Sequence, residues 1–214
     1  MKTARKVLLL VMCAVLLICA SVAGTVAYLT SQASVKNTFT VGDVKIILNE
    51  KDTDNDSDAT DNVTIDGVAR DAANVYHLLP GREYDKDPTI YVDAASEKCY
   101  VFVKVVNKIA AIESPANTIE AQMTAQGWKE LAGAENVWYY DGTLATNSVV
   151  SAGAKLVVFE TFTIDGAVSN ATLATYATAF NADSYITVEA YAIQADGFTT
   201  AAAAWAAAPA TWTP

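Results

Sequence analysis

The stretch Tyr100-Val101-Phe102-Val103-Lys104-Val105-Val106 is apolar at every position but Lys104, and its apolar side chains are β-branched or aromatic. A strand with one face in water alternates apolar and polar residues, whereas a continuous run of this kind marks a strand covered on both faces. The run is therefore the expected centre of the core. Cys99 directly precedes it, and a buried structural thiol is the expected state of that residue.

Upstream, Thr89-Ile90-Tyr91-Val92 follows Asp87-Pro88 and stops at Asp93, and Pro80-Gly81 is a turn signal. Val63-Thr64-Ile65-Asp66-Gly67 reads as a hairpin arm, and Asn37 to Leu48 alternates apolar and polar positions around Gly42, as a half-buried strand with a glycine irregularity does. Downstream, Asn117 to Gln126 changes period: Ile119 and Met123 are four apart, Asn117 can cap the start and Gly127 can end the helix. Val137 to Tyr140 runs into Asp141-Gly142, and Lys155 to Ile164 reads as one strand running into Asp165-Gly166. Ser169-Asn170 can cap a helix carrying Leu173, Tyr176 and Phe180 and stopping at Asn181. Tyr185 to Ile193 is the last long strand, and Thr200 to Ala208 is an alanine-rich helix with Trp205, halted before Pro209. Seven or eight strands with two or three short peripheral helices, joined this way, predict a mainly β fold: an antiparallel β-sandwich rather than a parallel sheet.

At the amino end, Lys2, Arg5 and Lys6 precede an apolar run from Val7 to Ala20 and the small residues Ala23-Gly24-Thr25-Val26-Ala27. This is the pattern of a secretory signal peptide over residues 1–27, cut between Ala27 and Tyr28. The alternatives are a cut after Ala23 or a retained anchor, although the run falls short of the roughly 20 apolar residues a span requires. No lipid anchor is expected, because Met12 and Ile18 stand before Cys13 and Cys19 where lipoprotein processing requires a small residue. Pro209 to Pro214 carries no apolar tail, so covalent wall attachment is not expected either. Residues 28–214 are then one domain, with 28–36 as an N-terminal extension and 51–62 as an acidic loop.

Cys13 and Cys19 leave with the leader, so Cys99 remains alone and no intramolecular disulfide can form. The leader also holds three of the 14 basic residues and none of the 24 acidic ones, which leaves 11 against 24 and a net charge of −13. Such a field repels nucleic acid and anionic membranes, so no nucleic-acid partner is expected, and membrane contact only through the uncleaved leader.

Histidine chemistry is nearly excluded. His77 is the only histidine, so a zinc site, a Ser/His/Asp triad or a Cys/His pair would have to be built on that one residue, and its place beside Pro80-Gly81 suits packing or hydrogen bonding. No catalytic residue and no cofactor are expected. Asp52, Asp54, Asp56 and Asp58 alternate as oxygen ligands of calcium loops do, but the sixth and twelfth positions hold Ser57 and Val63 where such a loop needs glycine and glutamate. A solvated acidic loop is the reading taken, with calcium binding as the alternative. Trp128, Trp138, Tyr139 and Tyr140 are read as core and turn packing, with a glycan-binding face as the alternative.

Several stretches together resemble one family. Gly24 to Thr30 followed by Asn37 to Ile46 is similar to the leader junction and first strand of the TasA/camelysin family of exported Gram-positive proteins. Tyr76-His77-Leu78-Leu79-Pro80-Gly81, Lys86-Asp87-Pro88-Thr89 and Cys99 to Val105 resemble the body of its clostridial members. The resemblance implies a jelly-roll-like sandwich, processing by a SipW-type signal peptidase, and secretion to the extracellular matrix or cell surface as a subunit or accessory component of biofilm fibres. It also implies that Tyr28, Leu29, Thr30, Ser31, Gln32, Ala33, Ser34, Val35 and Lys36 act as a donor strand completing a sheet of the next copy. The partners are then the chain itself and a minor matrix or anchoring subunit. Camelysin-like members are described as metalloproteases, which is the enzymatic alternative; this sequence shows no recognisable zinc motif for it.

Overall fold

The computed structural model describes residues 2–29, 43–54, 63–72, 74–180 and 186–209. The chain divides into two units, 1–41 and 42–214. In the first, the described part is one helix, α1 (Lys2–Leu29), whose apolar side chains from Val7 to Leu17 are exposed. Among the described residues no helix is long and apolar enough to cross a membrane.

The second unit is an antiparallel β-sandwich. One sheet contains β1 (Ile46–Lys51), β2 (Val63–Ile65), β3 (Val68–Asp71) and β5 (Thr89–Val92), with β11 (Lys155–Val157), in the order β11-β5-β1-β3-β2. The other is centred on β6 (Cys99–Asn107) and includes β7 (Trp128–Glu130), β8 (Val137–Tyr140), β9 (Ala145–Thr146), β10 (Val149–Val150) and β13 (Ile186–Gln194). β13 lies along the whole of one side of β6, from Ile186 opposite Asn107 to Gln194 opposite Cys99, while β8 and β10 share the other side. A small third sheet pairs β4 (Glu83–Asp85) with β12 (Thr161–Thr163). Three short helices complete the body: α2 (Ile119–Gln126), α3 (Asn170–Phe180) and α4 (Ala201–Trp205).

The expectation for β6 is met on both faces. Val101, Val103 and Val105 point into the core between the sheets, where Ile90, Val92 and Leu156 meet them. Tyr100 and Phe102 point the other way, into a second cluster closed by Trp205 of α4 and by Leu131 and Ala134. The Phe102 ring lies 5.2 Å from that of Trp205 and 6.2 Å from that of Tyr191. At one end of the sandwich, the guanidinium of Arg70, 3% exposed, bonds the Asp87 carboxylate at 2.6 Å, the Asn49 side chain at 3.1 Å and the carbonyls of both residues. A buried charge persists only when its donors are satisfied in this way, and the bonds tie β3 to β1 and to the start of β5.

The strong local signals take the form they predict. Asp66 and Gly67, both with positive φ, make the two-residue turn between β2 and β3. Gly127 ends α2 in the left-handed conformation, φ 97°. Other expectations need correction. The cap of α2 is Thr118, whose hydroxyl accepts from Ala121 N–H, one residue later than Asn117. The segment 155–164 is not one strand: Val158 and Phe159 are both fully buried, and the chain crosses there from β11, paired with β5, to β12, paired with β4. The described strands number 13 rather than seven or eight, because several hairpin arms are only two to four residues long. α4 stops at Trp205, with Ala206 as its cap, rather than at Ala208. Asn181 lies outside the described residues.

Gly127 also approaches Gly142 so closely that an added Cβ would sit 2.4 Å from the Gly142 Cα, whereas a Cβ on Gly133, equally left-handed, would meet nothing within 4 Å. In urea unfolding, Gly133→Ala is therefore expected to cost only backbone strain, about 1–2 kcal/mol. Gly127→Ala is expected to cost a further ~1–3 kcal/mol for the overlap.

Candidate functional site

Among the described residues, the seam between the two sheets has no strand along one side. In β13, Ala195 N–H donates to the Lys98 carbonyl at 2.8 Å, which continues the register of Gln194 opposite Cys99. Antiparallel alternation then directs the backbone groups of Thr187, Glu189, Tyr191 and Ile193 to β6, and those of Val188, Ala190 and Ala192 off the sheet. Among the described residues, no strand pairs with that side of β13.

β1 repeats the pattern on the facing sheet. Asp93 N–H donates to the Lys45 carbonyl and Asp52 N–H to that of Ala69, so the backbone groups of Ile46 and Leu48 point away from β5 toward the side where β3 joins only at Glu50 and Lys51. β1 and β13 are neighbours across the interior. Ile46 and Leu48 from β1, with Ile186, Val188, Ala190 and Ala192 from β13, face the common core yet are only partly buried. The equivalent side chains of β6, a strand paired on both sides, are 6% exposed or less. The difference is that no described strand adjoins β13 on its other side. Among the described residues, what the seam offers is a row of unpaired backbone donors and acceptors about 30 Å long, nine residues at the usual rise, above incompletely covered apolar side chains.

Ala27, Tyr28 and Leu29 belong to α1, so the expected cleavage bond falls inside a helix of the uncut chain. Thr30, Ser31, Gln32, Ala33, Ser34, Val35 and Lys36 lie outside the described residues.

The acidic loop is described only at its start. Asp52 and Asp54 are half-buried and meet Asp71 of β3, with one carboxylate oxygen from each within 4.8 Å of the others. Asp54 accepts from Val75 N–H at 2.6 Å and Asp71 from Ala72 N–H at 2.5 Å. An all-oxygen set suits a hard cation, and these are the described carboxylates whose placement could hold one. Asp71 carries no local signal in the sequence; it reaches the group only through the pairing of β3 with β1. Asp56 and Asp58 lie outside the described residues.

His77 is exposed, takes part in no described carboxylate or thiol cluster, and lends its carbonyl to the Tyr84 hydroxyl at 2.6 Å. Trp128 is buried, its indole N–H donates to the Val157 carbonyl at 2.8 Å, and its ring meets Tyr140 edge-on. Trp138 and Tyr139 are half-buried, one against each apolar cluster. Cys99 is fully buried, and desolvation pushes its thiol up to about 11.

Comparisons with protein-family models, with curated proteins and with solved structures give no match.

Only the thiolate is nucleophilic, so the burial of Cys99 has a direct readout. In a folded chain beginning at Tyr28, which lacks Cys13 and Cys19, the remaining thiol at pH 8 is expected to stay unreactive toward Ellman's reagent, and to react fully once denaturant exposes it. Rapid labelling without denaturant would contradict the buried placement.

Proposed function

We propose that this chain is a secreted, non-enzymatic structural protein, a subunit or accessory component of extracellular matrix fibres, in which the N-terminal segment of one copy adds to the open seam of the next. The observation that supports this reading is the nine-residue edge of β13 that no other described residue pairs. Residues 28–36 match it in length, and Leu29, Ser31, Ala33 and Val35 fall on alternate positions with Tyr28, Thr30, Gln32, Ser34 and Lys36 between them, which is the pattern of a strand with one face apolar at three of its four positions. Removal of the leader by a SipW-type signal peptidase frees this segment from α1.

Backbone pairing alone does not drive the addition. Each new hydrogen bond contributes about 0.5–1.5 kcal/mol net, and ordering each residue of the guest costs about 1–2 kcal/mol. The surplus comes from apolar area, with the guest's apolar face covering Val188, Ala190, Ala192, Ile46 and Leu48. The acidic surface keeps the unassembled subunit soluble.

Two variants test the reading by electron microscopy and light scattering. Mature protein lacking Tyr28 to Lys36 is expected to remain a folded monomer. Ala190→Pro, which removes an N–H that points off the sheet, is expected to keep the β-type circular dichroism but form no fibres. Fibres from the truncated protein would sink the proposal.

A further inference from the structure

Beside the acidic loop, Glu50 of β1 is 4% exposed and holds side chains from two other segments. Its Oε2 accepts from Lys86 Nζ at 2.6 Å and its Oε1 from Asn74 Nδ2 at 3.0 Å. The orientation of the Asn74 amide is fixed from its other side. Oδ1 accepts from Thr53 N–H at 2.6 Å and from Thr53 Oγ1 at 2.9 Å; a backbone N–H can only donate, so the atom on Glu50 must be the amide nitrogen. Nδ2 also donates to the Lys51 carbonyl at 3.0 Å. The Tyr76 ring lies 5.7 Å from Lys86 Nζ. Lys86 is 12% exposed, whereas the ion-paired lysines Lys45, Lys51, Lys129 and Lys155 are 49–61% exposed.

A primary amine and a carboxamide, each on one oxygen of the same buried carboxylate, are the two reactants of an amide exchange with a proton carrier between them. We propose that the folded chain forms an intramolecular isopeptide bond between Lys86 Nζ and Asn74 Cγ, with Glu50 as acid–base residue and Thr53 as oxyanion donor. Glu50 takes a proton from the Lys86 ammonium, a transfer that replaces a desolvated ion pair by two neutral groups. The freed lone pair attacks Cγ, and the Nζ–Cγ bond forms. Negative charge collects on Oδ1, where Thr53 N–H and Oγ1–H already point. Glu50 passes its proton to Nδ2, the Cγ–Nδ2 bond breaks as Oδ1 reforms the carbonyl, and the departing ammonia takes the second proton of the attacking nitrogen and leaves as ammonium. Nothing is oxidised or reduced, and no further reactant is needed.

The bond would join residue 74, just behind β3, to residue 86, just ahead of β5, at the corner where Arg70 also ties those strands together. It supplies the covalent closure that a mature chain with a single cysteine cannot obtain from a disulfide, and it limits the unfolded chain in the same way. This inference is independent of the fibre reading.

Intact-mass measurement and tandem mass spectrometry of a protease digest of the purified chain test it. The expected result is a mass short by one ammonia and a branched peptide joining Lys86 to Asn74, with Glu50→Gln and Lys86→Arg each restoring the sequence mass. A wild-type chain at its full sequence mass overturns the proposal. So does an ammonia loss that persists in Lys86→Arg, since that would be an asparagine cyclising on its own backbone. The peptide map of the wild-type chain decides the question even if a variant fails to fold.

Discussion

The dryness of β6 on both faces is the constraint on which the body depends. Each apolar side chain it buries contributes about 1.5–3 kcal/mol, and those side chains feed two separate clusters, one between the sheets and one beneath α4. A strand can be covered on both faces only if something covers the outer one. Here α4 and the segment around Leu131 and Ala134 do so, with Phe102, Tyr191 and Trp205 as the contact. The short alanine-rich helix near the carboxyl end is thus the outer wall of the second sheet.

That constraint generates the asymmetry from which the functional reading follows. β6 has hydrogen-bonded neighbours on both sides, but its longest partner, β13, has one among the described residues. Soluble proteins usually blunt such an edge with proline, with lysine or by keeping it short. β13 has none of these devices: it runs nine residues with Glu189 as its one charge. Facing it, the first half of β1 is also unpaired, among the described residues, on the side away from β5. Two edges open on the same seam, above half-covered apolar side chains, are better suited to receive a strand than to face water.

The sequence made some of this legible. β6 announced itself through an unbroken apolar run, the β2–β3 hairpin through Asp66-Gly67, and α2 through Ile119, Met123 and Gly127, all signals carried within a few residues. What stayed hidden depends on distant partners. The break at Val158-Phe159 cannot be seen in a run where both strand halves and the crossover are apolar; only pairing with β5 and then β4 reveals it. Asp71 joins Asp52 and Asp54 through strand register alone. Glu50 with Thr53, Asn74 and Lys86 lie on three separate segments with no shared motif, and each would pass for an ordinary surface residue until β1, β3 and β5 align. The open edge is invisible for a related reason, because a strand's sequence does not say how many neighbours it has.

Amide hydrogen exchange along β13, read residue by residue by NMR on the monomeric mature protein, tests the open edge most directly. The account predicts alternation: slow exchange at Thr187, Glu189, Tyr191 and Ile193, which bond β6, and fast exchange at Val188, Ala190 and Ala192, which become protected only on assembly. Equal protection of both sets in the monomer would mean that the edge is already covered, and would contradict the account.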